Sequence, residues 1–240
     1  MIAQGGKAIS GASVGILMLD THIPRIPGDV GNATTWPFPV HYKIVRGASP
    51  ERVVLQQSEG LRDTFVAAAQ ELVADGVDGI TTTCGFLSLM QADLKAAVPV
   101  PVAASSLMQA PLIEATLPKD KHVTILTISG ASLTATHLEA AKVSPDTPVE
   151  GLPTDCEFAT KIIGNATSMD IDQCRIDLLR AGQTIMEKHP NTGAIVLECT
   201  NMVPYAPDMQ HVLGIPVYSI YSFILWFQAG LLPRQFPLPS

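Results

Sequence analysis

The chain has 240 residues, of which 47% are hydrophobic and 15% are charged, and its mean hydropathy is +0.27. This length suits one large domain or two small ones, and the composition excludes intrinsic disorder, which requires low hydrophobicity and high net charge. The formal charge of −7, with no cluster of Lys and Arg, argues against a nucleic-acid partner, because phosphate binding needs a basic surface.

Membrane, secretory and metal-binding classes are also disfavoured. The apolar segment 220–232 is shorter than the roughly 20 residues that span a bilayer, and it predicts a buried helix. Residues 14–19 end at the polar Asp20 and indicate a strand rather than a signal peptide. The four cysteines are widely separated, with no spacing typical of zinc ligands. They are Cys84, Cys156, Cys174 and Cys199. We therefore expect a cytoplasmic protein with reduced thiols, no metal and no membrane contact.

Apolar, β-rich runs alternate along the chain with helical patterns. Strands are predicted at residues 14–19, 42–45, 77–82, 123–128 and 194–197. Helices are predicted at residues 54–74, 86–97, 105–116, 132–142, 171–188 and 220–231. Strands that are apolar along their whole length indicate burial on both faces, as in parallel sheets covered by helices. The predicted fold class is α/β.

The two halves of the chain resemble each other. Segment 78–84 (DGITTTC) matches segment 193–199 (GAIVLEC), and each predicts a strand that ends in Cys. An Asp follows each Cys after nine residues, and a Pro-Val pair follows after seventeen. Segment 14–20 (VGILMLD) likewise resembles segment 123–129 (VTILTIS). This pattern indicates an internal duplication.

The duplication predicts two pseudo-symmetric, parallel-sheet lobes. Residues 1–117 with the C-terminal helix 218–240 are assigned to the lobe of Cys84, and residues 118–217 to the lobe of Cys199. Ligands bind at the carboxyl ends of strands in open parallel sheets, so we expect both cysteines to face a cleft between the lobes. A helix that begins after each cysteine is expected to lower the pKa of its thiol.

Two opposed thiols can move a proton at a carbon acid. A thiolate on one face removes the α-proton and a thiol on the other face returns one, which inverts the stereocentre. Donors are needed to stabilise the enolate-like intermediate at the substrate carboxylate. The candidates beside the cysteines are Thr82, Thr83, Gly85, Thr200 and Asn201. No motif for pyridoxal phosphate, a dinucleotide or a nucleoside triphosphate occurs, so no cofactor is expected.

The two Cys-bearing strand ends, ITTTCGF and VLECTN, resemble those of the aspartate/glutamate/hydantoin racemase superfamily. The resemblance extends over nearly the whole chain, from residue 14 to residue 231. It implies two similar lobes, no cofactor, one acid/base cysteine from each lobe, and a homodimer or higher homo-oligomer. It assigns catalysis to Cys84 and Cys199. It places Asp20 and Thr21 where glutamate racemases have Asp-Ser, and Thr200 matches the Thr after the second Cys.

The resemblance also has departures that bear on the substrate. Glutamate racemases have motifs resembling Cys-Asn-Thr and Cys-Thr-His, whereas this chain has CGF at Cys84 and CTN at Cys199. Phe86 predicts an apolar wall. A Cys-Gly-Phe-like first site looks nearer to the algal dimethylsulfoniopropionate lyases of the same superfamily. Arylmalonate decarboxylases keep only the second Cys, so Cys84 argues against that branch, while maleate isomerases stay open.

The loop after the first predicted strand, residues 21–32, is long and rich in Pro and Gly, as lids and binding loops often are. Arg25 and Asn32 are candidates to hold a substrate carboxylate there, since Arg can bind a carboxylate through two hydrogen bonds. Arg46, at the end of the second predicted strand, is a rival to Arg25. Asp20 either orients a ligand or caps the next segment.

The sequence therefore predicts a cofactor-independent racemase or epimerase that acts at the α-carbon of a small carboxylate or amino-acid-like substrate. The alternatives are a cysteine-dependent lyase of the same superfamily and a non-catalytic ligand-binding protein, because fold alone does not separate these classes. The predicted substrate-binding residues are Asp20, Thr21, Asn32, Thr82, Thr83, Gly85, Phe86, Thr200 and Asn201. Cys156 and Cys174 are assigned to packing, and Trp226 and Phe227 to the core or a subunit interface.

Overall fold

A computed structural model describes residues 5–11 and 13–236 of the chain. They form two four-stranded sheets in which every paired strand is parallel. Residues 1–4 and 237–240, the outer ends of the predicted first lobe, lie outside the described residues, as does residue 12. The two sheets and their flanking helices confirm the predicted α/β class.

The first sheet contains strands β1 (Val14–Leu19), β2 (Val40–Val45), β3 (Gly79–Thr82) and β4 (Val102–Ala103) in the order β2-β1-β3-β4. The central strands β1 and β3 are almost entirely buried. This burial explains their apolar sequences, because helices cover both faces of a parallel sheet.

The second sheet repeats this arrangement. It contains β5 (His122–Thr127), β6 (Val149–Gly151), β7 (Thr192–Leu197) and β8 (Val217–Tyr218) in the order β6-β5-β7-β8. The strand order is therefore the same in both sheets, as the sequence repeat predicts. Cys84 and Cys199 follow the equivalent strands β3 and β7, at the carboxyl ends.

Nine α-helices connect the strands within the described residues. They are α1 (Pro50–Val54), α2 (Arg62–Asp75), α3 (Gln91–Ala97), α4 (Ala110–Glu114), α5 (Ala135–Ala140), α6 (Glu157–Ile163), α7 (Ile171–Lys188), α8 (Ala206–Leu213) and α9 (Ile220–Leu231). Six-residue 3₁₀ helices, Gly85–Met90 and Thr200–Tyr205, follow directly after the two cysteines, and a shorter one spans Ser106–Gln109. None of the helices in this part of the chain is both long and apolar enough to cross a bilayer.

The predicted single helix at residues 54–74 is wrong. The chain forms α1 from Pro50, where the side chain of Ser49 caps the first turn by accepting from the Arg52 amide. Gln57 and Ser58 then adopt positive φ angles of 52° and 60°, which end the helix because left-handed residues cannot continue a right-handed one. The next helix, α2, starts at Arg62.

The last helix returns to the first sheet. Ile220, Phe223 and Ile224 of α9 belong to one buried cluster with Val14 and Ala103 of β1 and β4. The lobe boundaries near residues 117 and 218 stay a prediction. On the other side of this helix Trp226 is 62% exposed, which excludes it from the core and leaves the subunit interface as its remaining predicted role.

Candidate active site

A small cavity lies where the carboxyl ends of β1, β3 and β7 meet between the lobes. It encloses about 20 Å³, roughly the space that a single water molecule needs, so a substrate does not fit in this conformation. Cys84 and Cys199 both line it, and they are 8% and 7% exposed. The remaining wall is mostly apolar and consists of Leu19, Thr21, Ile23, Arg25, Pro50, Val54, Thr83, Ile128, Ile162, Glu198 and Asn201.

The cavity therefore gathers part of the predicted site. Thr21, Thr83 and Asn201 line it together with the two cysteines. The other predicted substrate-binding residues are not among the lining residues. These are Asp20, Asn32, Thr82, Gly85, Phe86 and Thr200.

Two of these threonines hold the cysteine-bearing segments in place. The hydroxyl of Thr82 donates to the Ala104 carbonyl oxygen at 2.7 Å. The hydroxyl of Thr200 donates to the Thr83 carbonyl oxygen at 2.7 Å, which joins the two lobes directly. The ring of Phe86 is fully buried and packs edge-on against His137. It is not among the residues that line the cavity, so the apolar wall comes from other residues.

Asp20 and Asn32 are used inside the first lobe. The Asp20 carboxylate accepts from Nη1 of Arg46 and from the Gly47 amide, both at 3.1 Å, so it stabilises the segment after β2. The side-chain amide of Asn32 donates to the Arg25 carbonyl oxygen at 2.8 Å. The Arg46 side chain is 76% exposed, whereas Arg25 lines the cavity, so the structure places Arg25 and not Arg46 at the site.

Glu198 is a site residue that the sequence prediction misses. It is fully buried, and its Oε2 accepts from the Thr127 hydroxyl at 2.8 Å. Its Oε1 has no hydrogen-bond partner in the part of the chain that the structure describes. This oxygen lies against Gly85, where a Cβ atom would stand only 2.4 Å away. The sequence signal that could have identified Glu198 is the presence of a carboxyl residue in the otherwise apolar run VLEC (residues 196–199).

Burial raises the pKa of Glu198 to about 7, although the Thr127 hydroxyl and the amides of Ile128, Phe86 and Gly85 lower it in part. Their combined effect is smaller than that of burial, so the pKa stays above the ordinary value of a carboxyl. A fully buried carboxyl with a pKa near neutrality is typical of functional sites.

The expected lowering of the cysteine pKa values is wrong. Burial raises the pKa of both Cys84 and Cys199, and the negative charge of Glu198 raises each further. Backbone amides after each cysteine act in the predicted direction, but their effect is smaller than that of burial. Both groups are therefore thiols in the closed cavity at neutral pH.

Replacing Glu198 by Gln is expected to stabilise the protein at alkaline pH. The carboxyl has a pKa of 4.5 in the unfolded chain and of about 7 in the folded one, so its burial costs nothing below the lower value. As the pH rises between these two values, Glu198 ionises first in the unfolded chain, which favours unfolding. At pH values above neutrality the loss in the free energy of unfolding reaches about 3 kcal/mol. Urea unfolding should show a gain for Glu198→Gln near pH 8 that exceeds the gain near pH 5 by about this amount. An equal difference at both pH values would contradict the raised pKa.

A chain of hydrogen bonds connects the loop after β1 with Cys199. Arg25 binds Asp29 Oδ1 at 2.8 Å and also donates to the Thr21 hydroxyl. The other Asp29 oxygen accepts from Nδ2 of Asn201 at 2.6 Å. The side-chain oxygen Oδ1 of Asn201 lies 3.7 Å from Sγ of Cys199 and accepts from it. The loop and the second lobe are thus joined at Cys199.

Two further contacts hold this loop over the second lobe. The His22 amide donates to Oδ1 of Asn165 at 2.7 Å. Gly28, with a φ of +96°, lies so close to Pro204 that a Cβ atom there would be 3.2 Å from its Cα. Residues 21–36, called the loop below, therefore cover the cavity, and a substrate needs the loop to open.

Replacing Asn201 by Asp is expected to weaken this closure. The change brings a second carboxylate to within about 2.6 Å of Asp29, and like charges at this distance repel. Limited proteolysis should therefore cut the loop faster in Asn201→Asp than in the wild type at neutral pH. The matched variant Asn201→Ala removes the hydrogen bond without adding charge and should give an intermediate rate. Equal cleavage of all three proteins would show that this contact does not hold the loop.

The chain is similar in sequence to known lyases. It is 29% identical over 231 residues to a dimethylsulfoniopropionate lyase of Durusdinium sp. clade D, a match that covers 93% of this chain and 76% of that protein. It is 31% identical over 220 residues to dimethylsulfoniopropionate lyase 6 of Emiliania huxleyi, covering 86% of this chain and 56% of that protein. The chain thus spans little more than half the length of this second relative. No family model matches the chain.

Solved structures share the fold. Unliganded arylmalonate decarboxylase superimposes with a TM-score of 0.60 at 14% identity, covering 95% of this chain and 96% of that one. A glutamate racemase from Bacillus anthracis gives a TM-score of 0.58 at 14% identity, over 93% and 85% of the two chains. The aspartate racemase of Picrophilus torridus gives 0.53 at 12% identity, over 91% and 95%. The chain therefore has the fold of these enzymes, as the resemblance of its strand ends implies.

Proposed function

We propose that this protein is a cysteine-dependent enzyme of the aspartate/glutamate racemase superfamily that removes the α-proton of a small carboxylate and completes the reaction as a lyase. The observation that carries the proposal is that Cys84 and Cys199, from equivalent strand ends of two lobes, line one small cavity together with Arg25. The similarity to dimethylsulfoniopropionate lyases over most of the chain favours elimination as the outcome and dimethylsulfoniopropionate as the substrate to test.

Arg25 is the candidate anchor for the substrate carboxylate. Its guanidinium has five N–H donors, and the contacts with Asp29 and Thr21 leave others available. With the carboxylate held there, a thiolate of Cys84 or Cys199 takes the α-proton. The C–H electron pair then forms the double bond as the β-substituent leaves with its own bonding pair. For dimethylsulfoniopropionate the products are acrylate and dimethyl sulfide.

Racemisation is the second candidate. The presence of a cysteine from each lobe favours it, because inversion needs one group to remove the proton and another to return it on the opposite face. Elimination needs only one of the two thiols as base. The two reactions share the first step. The carbanion-like intermediate then either expels its β-substituent or takes up a proton on the opposite face.

Solvent-deuterium exchange measured by NMR tests the proposal. The purified protein is incubated in D₂O with dimethylsulfoniopropionate, both enantiomers of aspartate and glutamate, and simple hydantoins. We expect acrylate and dimethyl sulfide from the first substrate. Deuterium at the α-carbon with appearance of the opposite enantiomer would instead make the protein a racemase for the substrate concerned. Activity is expected to survive EDTA and hydroxylamine.

Cys156→Ser is the matched control. Its sulfur lies outside the cavity and accepts from the Ala159 amide at the start of α6, a capping role that serine fulfils. This variant should retain wild-type turnover. No turnover of any substrate by the wild type, with ligands that bind but do not exchange, would leave the non-catalytic binding protein as the function.

A further inference from the structure

Glu198 and the two thiols form one electrostatic cluster. Glu198 directly precedes Cys199, and its Oε1 lies against Gly85, the residue after Cys84. Its charge raises the pKa of both thiols. Its Oε1 belongs to a fully buried side chain in the cavity wall and makes no hydrogen bond within the described residues, although the amides of Gly85 and Phe86 face the carboxyl and lower its pKa in part.

The closed cavity also restricts where a thiol proton can go. The titratable side chains in its wall are Arg25, Cys84, Cys199 and Glu198. Arg25 carries no acceptor. The buried Asp29 carboxylate behind the wall also raises the pKa of Cys199, but its two oxygens are occupied by Arg25 and Asn201. The groups that face Glu198 from β5 and from the 3₁₀ helix after Cys84 are a hydroxyl and backbone amides, which do not titrate. Two negative charges together in such a site are strongly disfavoured.

We propose that Glu198 carries the proton of the catalytic thiols, so that its carboxyl and the thiols of Cys84 and Cys199 share a single negative charge. Its part in turnover rests on the proposed function, whereas the sharing of charge is a property of the free protein. Glu198 is therefore a proton carrier that acts through the cysteines, and it need not touch the substrate.

The proton steps balance for both candidate reactions. In the free protein above a pH of about 7 the carboxyl is ionised and both thiols are protonated. Transfer of one S–H proton to Glu198 gives a thiolate and a carboxylic acid, and the thiolate then takes the α-proton. In elimination Glu198 later releases its proton to water, which accounts for the proton lost by the substrate. In racemisation the second thiol donates to the opposite face and regains a proton from Glu198.

Alkylation by iodoacetamide tests the sharing of charge without any substrate. The rate is measured against pH separately for each cysteine by peptide mass spectrometry, in the wild type, Glu198→Gln and the matched control Glu150→Gln, which lies on β6 outside the cavity. In the wild type and the control, the rates at Cys84 and Cys199 should level off above a pH of about 7, because ionised Glu198 opposes thiolate formation. In Glu198→Gln they should continue to rise and exceed the wild type at least about tenfold near pH 9, the effect of one pKa unit.

Thr127→Val provides a second variant that keeps the carboxyl. It removes the hydrogen bond to Oε2 that favours the ionised form, so the pH at which the wild-type rates level off should rise. Superimposable profiles of the wild type and Glu198→Gln, or an unchanged plateau in Thr127→Val, would overturn the proposal and leave Glu198 a structural residue.

The role in turnover is measured with whichever substrate the NMR experiment identifies. The wild-type rate constant should be independent of pH above neutrality, whereas that of Glu198→Gln should increase with pH. Parallel profiles would overturn this role. If the wild type turns over none of the substrates, the proposed function fails, and the alkylation profiles still decide the sharing of charge.

Discussion

Replacing Cys199 by Ser is expected to lower turnover by about 10³-fold, within the range that acid/base groups contribute. A serine hydroxyl is a far weaker acid than a thiol and cannot supply the anionic base. The serine side chain is slightly smaller than the cysteine side chain that it replaces at this buried position, so it causes no clash and the fold should persist. The measurement is the rate of product formation, with the unfolding transition followed on the same samples.

The same change at Cys84 separates the two candidate reactions. In a racemase each thiol is needed, so Cys84→Ser should be as inactive as Cys199→Ser. In a lyase a single base is enough, so Cys84→Ser should retain most of its activity while Cys199→Ser loses it. Full activity in both variants would show that neither thiol is the base and would remove the proposed function.

Replacing Gly85 by Ala is expected to destabilise the protein by about 2–3 kcal/mol, the upper part of the range for an overpacked interior. The new Cβ would lie 2.4 Å from Oε1 of Glu198 and 2.5 Å from its backbone carbonyl oxygen. A side chain can rotate away, but the carbonyl oxygen belongs to the segment that carries Cys199. Loss of activity should therefore accompany the loss of stability.

Gly230→Ala is the control for this substitution. Gly230 lies in α9, and no heavy atom lies within 4 Å of the position its Cβ would take. Alanine favours a helix more than glycine does, so this variant should be as stable as the wild type or slightly more stable. Denaturant unfolding of both variants gives the comparison. A Gly85→Ala protein as stable as the control would mean that the segment next to Glu198 can move apart easily.

The sequence predicts the long elements well and the short ones poorly. The limits of β1, α7 and α9 agree with the predicted ranges, because each is a sustained apolar or periodic pattern. The strands β4 and β8 have two residues each and carry no periodicity to detect. The break before α2 depends on the left-handed backbone of Gln57 and Ser58. Gln and Ser do not favour this conformation, so the sequence does not predict the break.

The candidate site divides in the same way. The internal repeat predicts that Cys84 and Cys199 occupy equivalent strand ends, and both line the cavity. Glu198 escapes prediction because a polar residue at a strand end is ordinarily exposed, and its burial depends on the opposite lobe closing over it at Gly85. The raised pKa values of the thiols likewise follow from burial in the tertiary structure. The position of each cysteine before a helix is a local feature of the sequence and does not predict this burial.

Among the differences between the two half-sites is the residue before each cysteine, which is Thr83 in the first and Glu198 in the second. A planar intermediate between the thiols therefore meets a hydroxyl-bearing side chain on one flank and a titrating carboxyl on the other. In the proposed reaction the two faces of that intermediate are stereochemically distinct, and we expect them to exchange protons at unequal rates. A substrate with two prochiral α-hydrogens should accordingly lose one of them selectively, which stereospecific deuterium labelling would record.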